Sequence, residues 1–299
     1  MDSVQFYEEV INSDLCPDNF DEIYKDFQRY QKLVANTLSA FHQVCEKNGL
    51  RYQLGFGSLL GAIRDNGQIP WDYDIDVIIP YEERFKLVEA LHKDLPKDYY
   101  FYCPEVNEDC RHCGMRVTPK GYRSDKLHVD VFYVIGVPEE EKKRTLFVGY
   151  LTDCYEKRFI RKLKLGDFVS VKRRIKFLFK KARIINLSTN EINNKLEQAC
   201  IMYDPKETNT SFPLQQVYKN IHWKTDELWD TELIRTDIGT FRIPRNYDMV
   251  LKSIYKDYTV IYPLKNRLAE LLGSYGSIVQ NPHIYKHGMH KKGRYYLEK

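Results

Sequence analysis

The chain has 299 residues, of which 43% are hydrophobic, 29% charged and 14% aromatic, ordinary globular values that exclude a disordered chain and supply a sizeable core. The formal net charge of +4 does not single out nucleic acid as a partner, because charge must cluster before it recognises a polyanion. The opening MDSVQFYEEVINSD is acidic and polar, and no run reaches the ~18 apolar residues of a membrane span, so neither a signal peptide nor a transmembrane helix is expected and the expected compartment is the cytoplasm.

Seven cysteines, an odd number in a chain too long to need staples, read as reduced thiols. A prior of ~150 residues per domain suggests one to two domains. Residues 20–48 carry Phe27, Tyr30, Leu33, Val34, Leu38, Phe41, Val44 and Cys45 at intervals of three and four, which predicts an amphipathic helix closed at Asn48-Gly49. Tyr52 to Ser58 reads as a short strand entering a glycine-containing turn, Leu59–Arg64 as a short helix and Asp65-Asn66-Gly67 as a turn. The β-branched content of Trp71–Pro80 predicts a strand, followed by a helix over 81–93 with Phe85, Val88, Leu91 and His92 on one face. Residues 97–126 look loop-like, with a candidate strand at Gly114–Thr118, and His128–Gly136 is a strong strand candidate. Helical, charged sequence fills 139–201, short strands and turns fill 205–263, and one helix and a basic end follow. The sum is an α+β unit, a mixed sheet flanked by helices, followed by a mainly helical portion.

Three features of the early unit carry chemistry. Gly57-Ser58 stands at a strand–helix junction, where free amides and an absent side chain suit a phosphate. Asp74 and Asp76, two apart on the expected strand, point to one face with Ile75 turned to the core. Asp130, between Val129 and Val131, is a third acid on an apolar strand. Acids on buried strands are costly unless paired or metal-bound. Oxygen-only ligands suit Mg²⁺ or Mn²⁺ bridging to substrate phosphates, so in-line phosphoryl-type transfer is the expected reaction.

GFGSLLGAIRDNGQIPWDYDID, Gly55 to Asp76, resembles the signature of the LicD family, and HVDVF at 128–132 is similar to the third-acid strand of the wider nucleotidyltransferase superfamily. The resemblance is tight over about residues 33–136 and weaker over Ile243–Pro263. It implies a nucleotidyltransferase-like catalytic core with its N-terminal helix over 1–138, and a helical and mixed portion over 139–299 that completes the donor and acceptor site. It further implies transfer of a phospho-alcohol, such as phosphocholine or ribitol phosphate, from a CDP-activated donor to a sugar hydroxyl of a cell-surface glycan or teichoic acid. The acceptor could be lipid-linked, and nucleic acid is not expected as a partner. By position, Asp74, Asp76 and Asp130 correspond to the metal-binding acids, with Asp130 the first choice as base. Gly57 and Ser58 correspond to the phosphate turn, and Arg64 to an arginine suited to a diphosphate. Asp72 would support the metal from behind, and Trp71 would line the donor pocket or pack in the core. Two departures stand out. Tyr73 replaces an aspartate and should face away from Asp72 and Asp74, and Lys256 replaces a glycine of the later motif. A nucleotidyltransferase releasing pyrophosphate, or a non-catalytic scaffold, are the competing readings.

Three further features stay open. Cys103, Cys110, His112 and Cys113 form at best a weak zinc motif, with unligated thiols the plainer reading. KRRIKFLFKKAR at 172–183 has seven basic residues and an apolar stripe of Ile175, Leu178, Phe179, Ala182 and Ile185. The plainer expectation is a core-packed helix with a solvated basic face. The alternative is peripheral contact with the inner face of a membrane. His283, His287 and His290 lie in a basic tail expected to be exposed.

Overall fold

The computed structural model describes residues 1–279 except 109, 112, 169 and 218–220. The expected histidine tail and His112 therefore lie outside the described residues.

The fold is α+β, as expected. Helices α1 (Ser3–Ile11) and α2 (Phe20–Lys47) come first. Phe27, Tyr30, Val34, Leu38, Phe41, Val44 and Cys45 are buried along α2. A stripe this long makes the helix the main apolar cover of the sheet. Next come β1 (Gln53–Leu54), α3 (Phe56–Arg64), β2 (Ile75–Pro80) and α4 (Arg84–Asp94). Then follow β3 (Tyr99–Tyr102), β4 (Met115–Pro119) and β5 (Val129–Gly136). The helical stretch holds α5 (Glu141–Lys162), α6 (Val171–Ala182), α7 (Thr189–Cys200) and the single turn α8 (Pro205–Thr208). Strands β6 (Thr210–Pro213) and β7 (Trp223–Lys224), α9 (Thr225–Trp229), and the hairpin β8 (Thr231–Thr236)/β9 (Gly239–Pro244) come next. The described chain ends with α10 (Tyr247–Tyr255) and α11 (Leu264–Val279).

One mixed sheet runs β1-β2-β5-β4-β3, with β6 and β7 continuing from the far end of β5. Strands β2 and β5 are parallel, and their register sets Asp76 beside Asp130. Strand β4 lies antiparallel on the other side of β5 and sets Arg116 beside the same Asp130. Because side chains of paired residues share a face, Asp76, Asp130 and Arg116 form one row across three strands. The sheet does not stop at residue 138, since β6 pairs with β5 through Ile135 and Phe212. A continuous core then reaches from Phe6 to Ile278.

Four expectations are corrected. The strand predicted over Trp71–Pro80 begins only at Ile75. Before it, the amide of Asp72 bonds the Ile69 carbonyl in a turn, and Gln31 of α2 donates its side-chain amide to the carbonyls of Ile69 and Asp72. These bonds hold the segment in a turn, off the extended path that a strand would need. The buried face of α4 is Arg84, Leu87, Ala90 and Leu91, whereas Phe85 is 53% exposed. Residues 99–102, taken for loop, form β3, an edge strand paired to β4. On α6 the buried side chain is Phe177, and the expected core stripe faces solvent.

All seven cysteines are free thiols. Around Cys110 and Cys113 the Arg158 guanidinium donates to the carbonyls of Cys110 and Arg111 and touches the Cys113 sulfur. Burial pushes the Cys103 and Cys113 thiols up to about 12, so they stay protonated. A cation thus braces this stretch.

Candidate active site

The site is built where β1 turns into α3. Phe56, at the turn, has φ +44°, a left-handed conformation that a bulky residue adopts only when its surroundings hold it there. Its ring packs on Phe132 at 4.8 Å and Trp223 at 6.2 Å, and the Gly55 amide bonds the Asp76 carbonyl at 3.0 Å. The first turn of α3 is thereby fixed against the start of β2. Its leading amides have no intrahelical acceptor and present positive partial charge.

Gly57 sits in that first turn. A Cβ there would meet Asp72 Oδ2 at 3.4 Å and Asp76 Oδ2 at 4.0 Å, so both carboxylates face the glycine. Ser58 lies in the same turn. Its Oγ accepts the Asp76 amide at 2.7 Å, pinning the strand that carries the acid.

An open cleft of about 410 Å³ is lined by Phe56, Gly57, Asp72, Tyr73, Asp74, Asp76, Gln216, Ile254, Tyr255, Glu270 and Ser274. Four carboxylates therefore share one opening. Burial raises the Asp72 carboxyl well above its ordinary range, and the charge of Asp74, a hydrogen bond to it, and the charges of Glu270 and Asp76 push the same way. Burial and these neighbouring charges both favour the neutral form of Asp72, which is hydrogen-bonded to Asp74. Tyr73 and Tyr255 line the same cleft, and burial plus the neighbouring acids raise both phenols, leaving them as hydrogen-bond donors. Tyr73 was expected to face away. It lies in the cleft because residues 71–74 are not strand, so the alternation of a strand does not apply there.

Asp130 is set apart from this group by its partners. Arg116 Nε lies 2.8 Å from Oδ1 and His128 Nε2 lies 3.1 Å from Oδ2. Although burial alone would raise the Asp130 carboxyl, His128 and Arg116 together hold it far below the ordinary carboxylate range. Within the row it is an anion paired with two cationic or hydrogen-bonding partners, not a lone acid. Arg64 grips Asp65 with Nε and Nη2 and lies 5.7 Å over the Trp71 ring. It is not among the residues lining the cleft. Trp71 is 3% exposed and packs on Phe6, a core residue.

Two residues that the sequence did not point to complete the site. Glu270 of α11 stands exposed at the cleft mouth, and its carboxyl is raised, by partial desolvation first and then by Asp74. Tyr255 ends α10, inside the segment with the weaker family likeness. Lys256, which replaces the expected glycine, has φ +60° at the C-cap of that helix. This conformation suits glycine, so Lys256→Gly is expected to raise stability by about 1 kcal/mol, read from the denaturant midpoint.

The ligand chemistry of Asp72, Asp74 and Asp76 is all oxygen and anionic, which fits a hard divalent ion. No group of three or more His, Cys, Asp or Glu side chains among the described residues is gathered in a metal-binding arrangement.

Residues 49–175 match the family described as LicD/FKTN/FKRP, nucleotidyltransferase domain. The chain is similar to the lipopolysaccharide cholinephosphotransferase LicD of Haemophilus influenzae, with 36% identity over 126 residues, covering 38% of this chain and 46% of that protein. It is also similar to the ribitol 5-phosphate transferase FKRP of Homo sapiens, with 55% identity over 40 residues, covering 13% of this chain and 8% of that protein. The matched stretch spans less than half the length of either relative.

Proposed function

From a chain that carries a LicD-family nucleotidyltransferase domain at residues 49–175, we propose a transferase that moves a phospho-alcohol from a CDP-activated donor to a hydroxyl of a cell-surface glycan. The observation that carries this reading is the one cleft lined by Asp72, Asp74, Asp76 and Glu270 together with Phe56 and Gly57 of the first turn of α3. Phosphocholine and ribitol phosphate are the candidate groups, by likeness to the two named relatives.

Each residue has a proposed part. The first-turn amides of α3 receive donor phosphate oxygens, and Gly57 leaves room for them beside the acids. Asp74 and Asp76 would hold Mg²⁺ or Mn²⁺, which when bound would neutralise diphosphate charge and make the acceptor hydroxyl more acidic. Asp72 supports that pair from the buried side. Tyr73 and Tyr255 donate hydrogen bonds from the cleft walls. Glu270, open at the mouth and raised in pKa, takes the acceptor proton as the hydroxyl oxygen bonds the phosphorus that bears the alcohol, the phosphoanhydride bond breaks and CMP leaves. Asp130 is a poor base because Arg116 and His128 stabilise its anion. Its part is to fix the charge pattern behind Asp76.

Calorimetric titration of the wild type and an Asp74→Ala/Asp76→Ala variant with CDP-choline, CDP-ribitol, CTP and ATP, with and without Mg²⁺, tests the reading. Metal-dependent binding of a CDP-alcohol by the wild type alone is the expected result. Preference for CTP or ATP, with release of pyrophosphate on turnover, would replace it with nucleotidyl transfer. Binding of none of the four by folded wild type would overturn it.

A further inference from the structure

Between Phe168 and Asn190 the chain has no acidic residue, and seven lysines and arginines fall within 172–183. Helix α6 is built from this stretch. It rests on a small core of Ile160, Phe177, Ile184 and Ile192, separate from the main one. Phe177 and Ile184 satisfy that contact and are 5% and 2% exposed. The remaining apolar side chains are surplus to it. Val171, Ile175, Leu178 and Phe179 are 69%, 50%, 53% and 71% exposed, and Ile185 just beyond the helix is 70% exposed.

At about 100° per residue, Val171, Ile175, Leu178 and Phe179 fall on one stripe, on the side away from Phe177. Lys172, Lys176 and Arg183 border it on one flank, and Arg174 and Lys181 on the other. Lys181 and Arg174 use part of their hydrogen-bonding capacity on the carbonyls of Leu163 and Phe168. Lys172, Arg173, Lys176 and Arg183 have no ion-pair partner among the described residues. An apolar stripe between two basic flanks matches the boundary of an anionic lipid layer, with acyl chains below and headgroup phosphates beside. A nucleic-acid groove would not need the stripe, and an apolar protein partner would not need seven positive charges. No described helix is long and apolar enough to cross a membrane, and α6, of 12 residues, reaches about 18 Å.

We propose that α6 docks the protein on an anionic lipid surface, lying in its plane with Val171, Ile175, Leu178 and Phe179 inserted and the flanking cations on the headgroups. This is independent of the donor assignment, since none of these residues lines the acid cleft.

Co-sedimentation of the full chain with vesicles tests it. One set is phosphatidylcholine alone, and in the other about a third of the lipid is replaced by anionic phosphatidylglycerol. Three proteins are compared: wild type, Ile175→Ser/Phe179→Ser, and Lys172→Glu/Lys176→Glu. All substituted side chains are exposed, and circular dichroism checks that each variant is folded. Wild type is expected to bind the anionic vesicles at least about tenfold more tightly than the neutral ones. Either variant should lose about tenfold or more, and salt should weaken the wild type. Equal binding to both vesicle types, or unchanged binding by the serine variant, would overturn the proposal. Concentration-dependent self-association of wild type, abolished by the serine variant and with no vesicle binding, would assign the stripe to a second copy instead.

Discussion

Replacing Asp74 and Asp76 together by asparagine is expected to abolish transfer, by at least about 10³-fold, while making the metal-free protein more stable. The second effect follows from the cleft. Asp72 is driven towards its neutral form by burial and by the charges of Asp74, Glu270 and Asp76, so the wild type stores repulsion there. Asparagine keeps the shape, removes two of the charges and retains polar atoms for the cleft. The gain, on the order of 1 kcal/mol, should appear as a higher unfolding midpoint in EDTA. Added Mg²⁺ should then raise the wild type with the logarithm of its free concentration above the dissociation constant and leave the variant where it was. A variant that loses both activity and stability would show that the acids serve the fold, and the site assignment would fail.

Much of this site is readable in the residues, and the unreadable parts have physical causes. The stripe from Phe27 to Cys45 foretells α2, because a period of three and four kept over that stretch of the 28-residue helix leaves little room for another structure. Asp76 and Asp130 stand on β2 and β5, strands whose apolar residues announce them. The neighbourhood of Asp72 and Tyr73 is hidden, because it depends on Gln31, 41 residues away from Asp72, bonding its carbonyl. Arg116 as the partner of Asp130 is a matter of cross-strand register, which no local pattern encodes. Tyr255, at the end of α10, and Glu270, within α11, reach the cleft only after the chain has passed through β6 and the β8/β9 hairpin. For α6 the period is visible, but the inward side is not. That side is chosen by Phe177 and Ile184 packing on Ile160 and Ile192, leaving the longer stripe outside.

Glu270 and Asp130 separate chemistry from architecture. Glu270→Gln is expected to lower kcat by about 10²–10⁴-fold, with stability nearly unchanged, because Glu270 is exposed at the cleft mouth. Asp130→Asn should do the opposite in kind. It leaves Arg116 and His128 without their anion in a partly buried row, at a cost of about 2–3 kcal/mol. The pH dependence fixes the sign. Asp130 is depressed in the folded state by His128 and Arg116, so its contribution to stability is fully present above the unfolded carboxylate value. It is lost as pH falls from there towards the folded value. Stability of the wild type should therefore drop more steeply below about pH 4 than that of Asp130→Asn. Glu270 is shifted the other way, so its proton is held to higher pH, and the acidic limb of the kcat profile should vanish in Glu270→Gln and persist in Asp130→Asn. If the limb instead disappears with Asp130, the base belongs to the β5 row, and the cleft mouth only admits the acceptor.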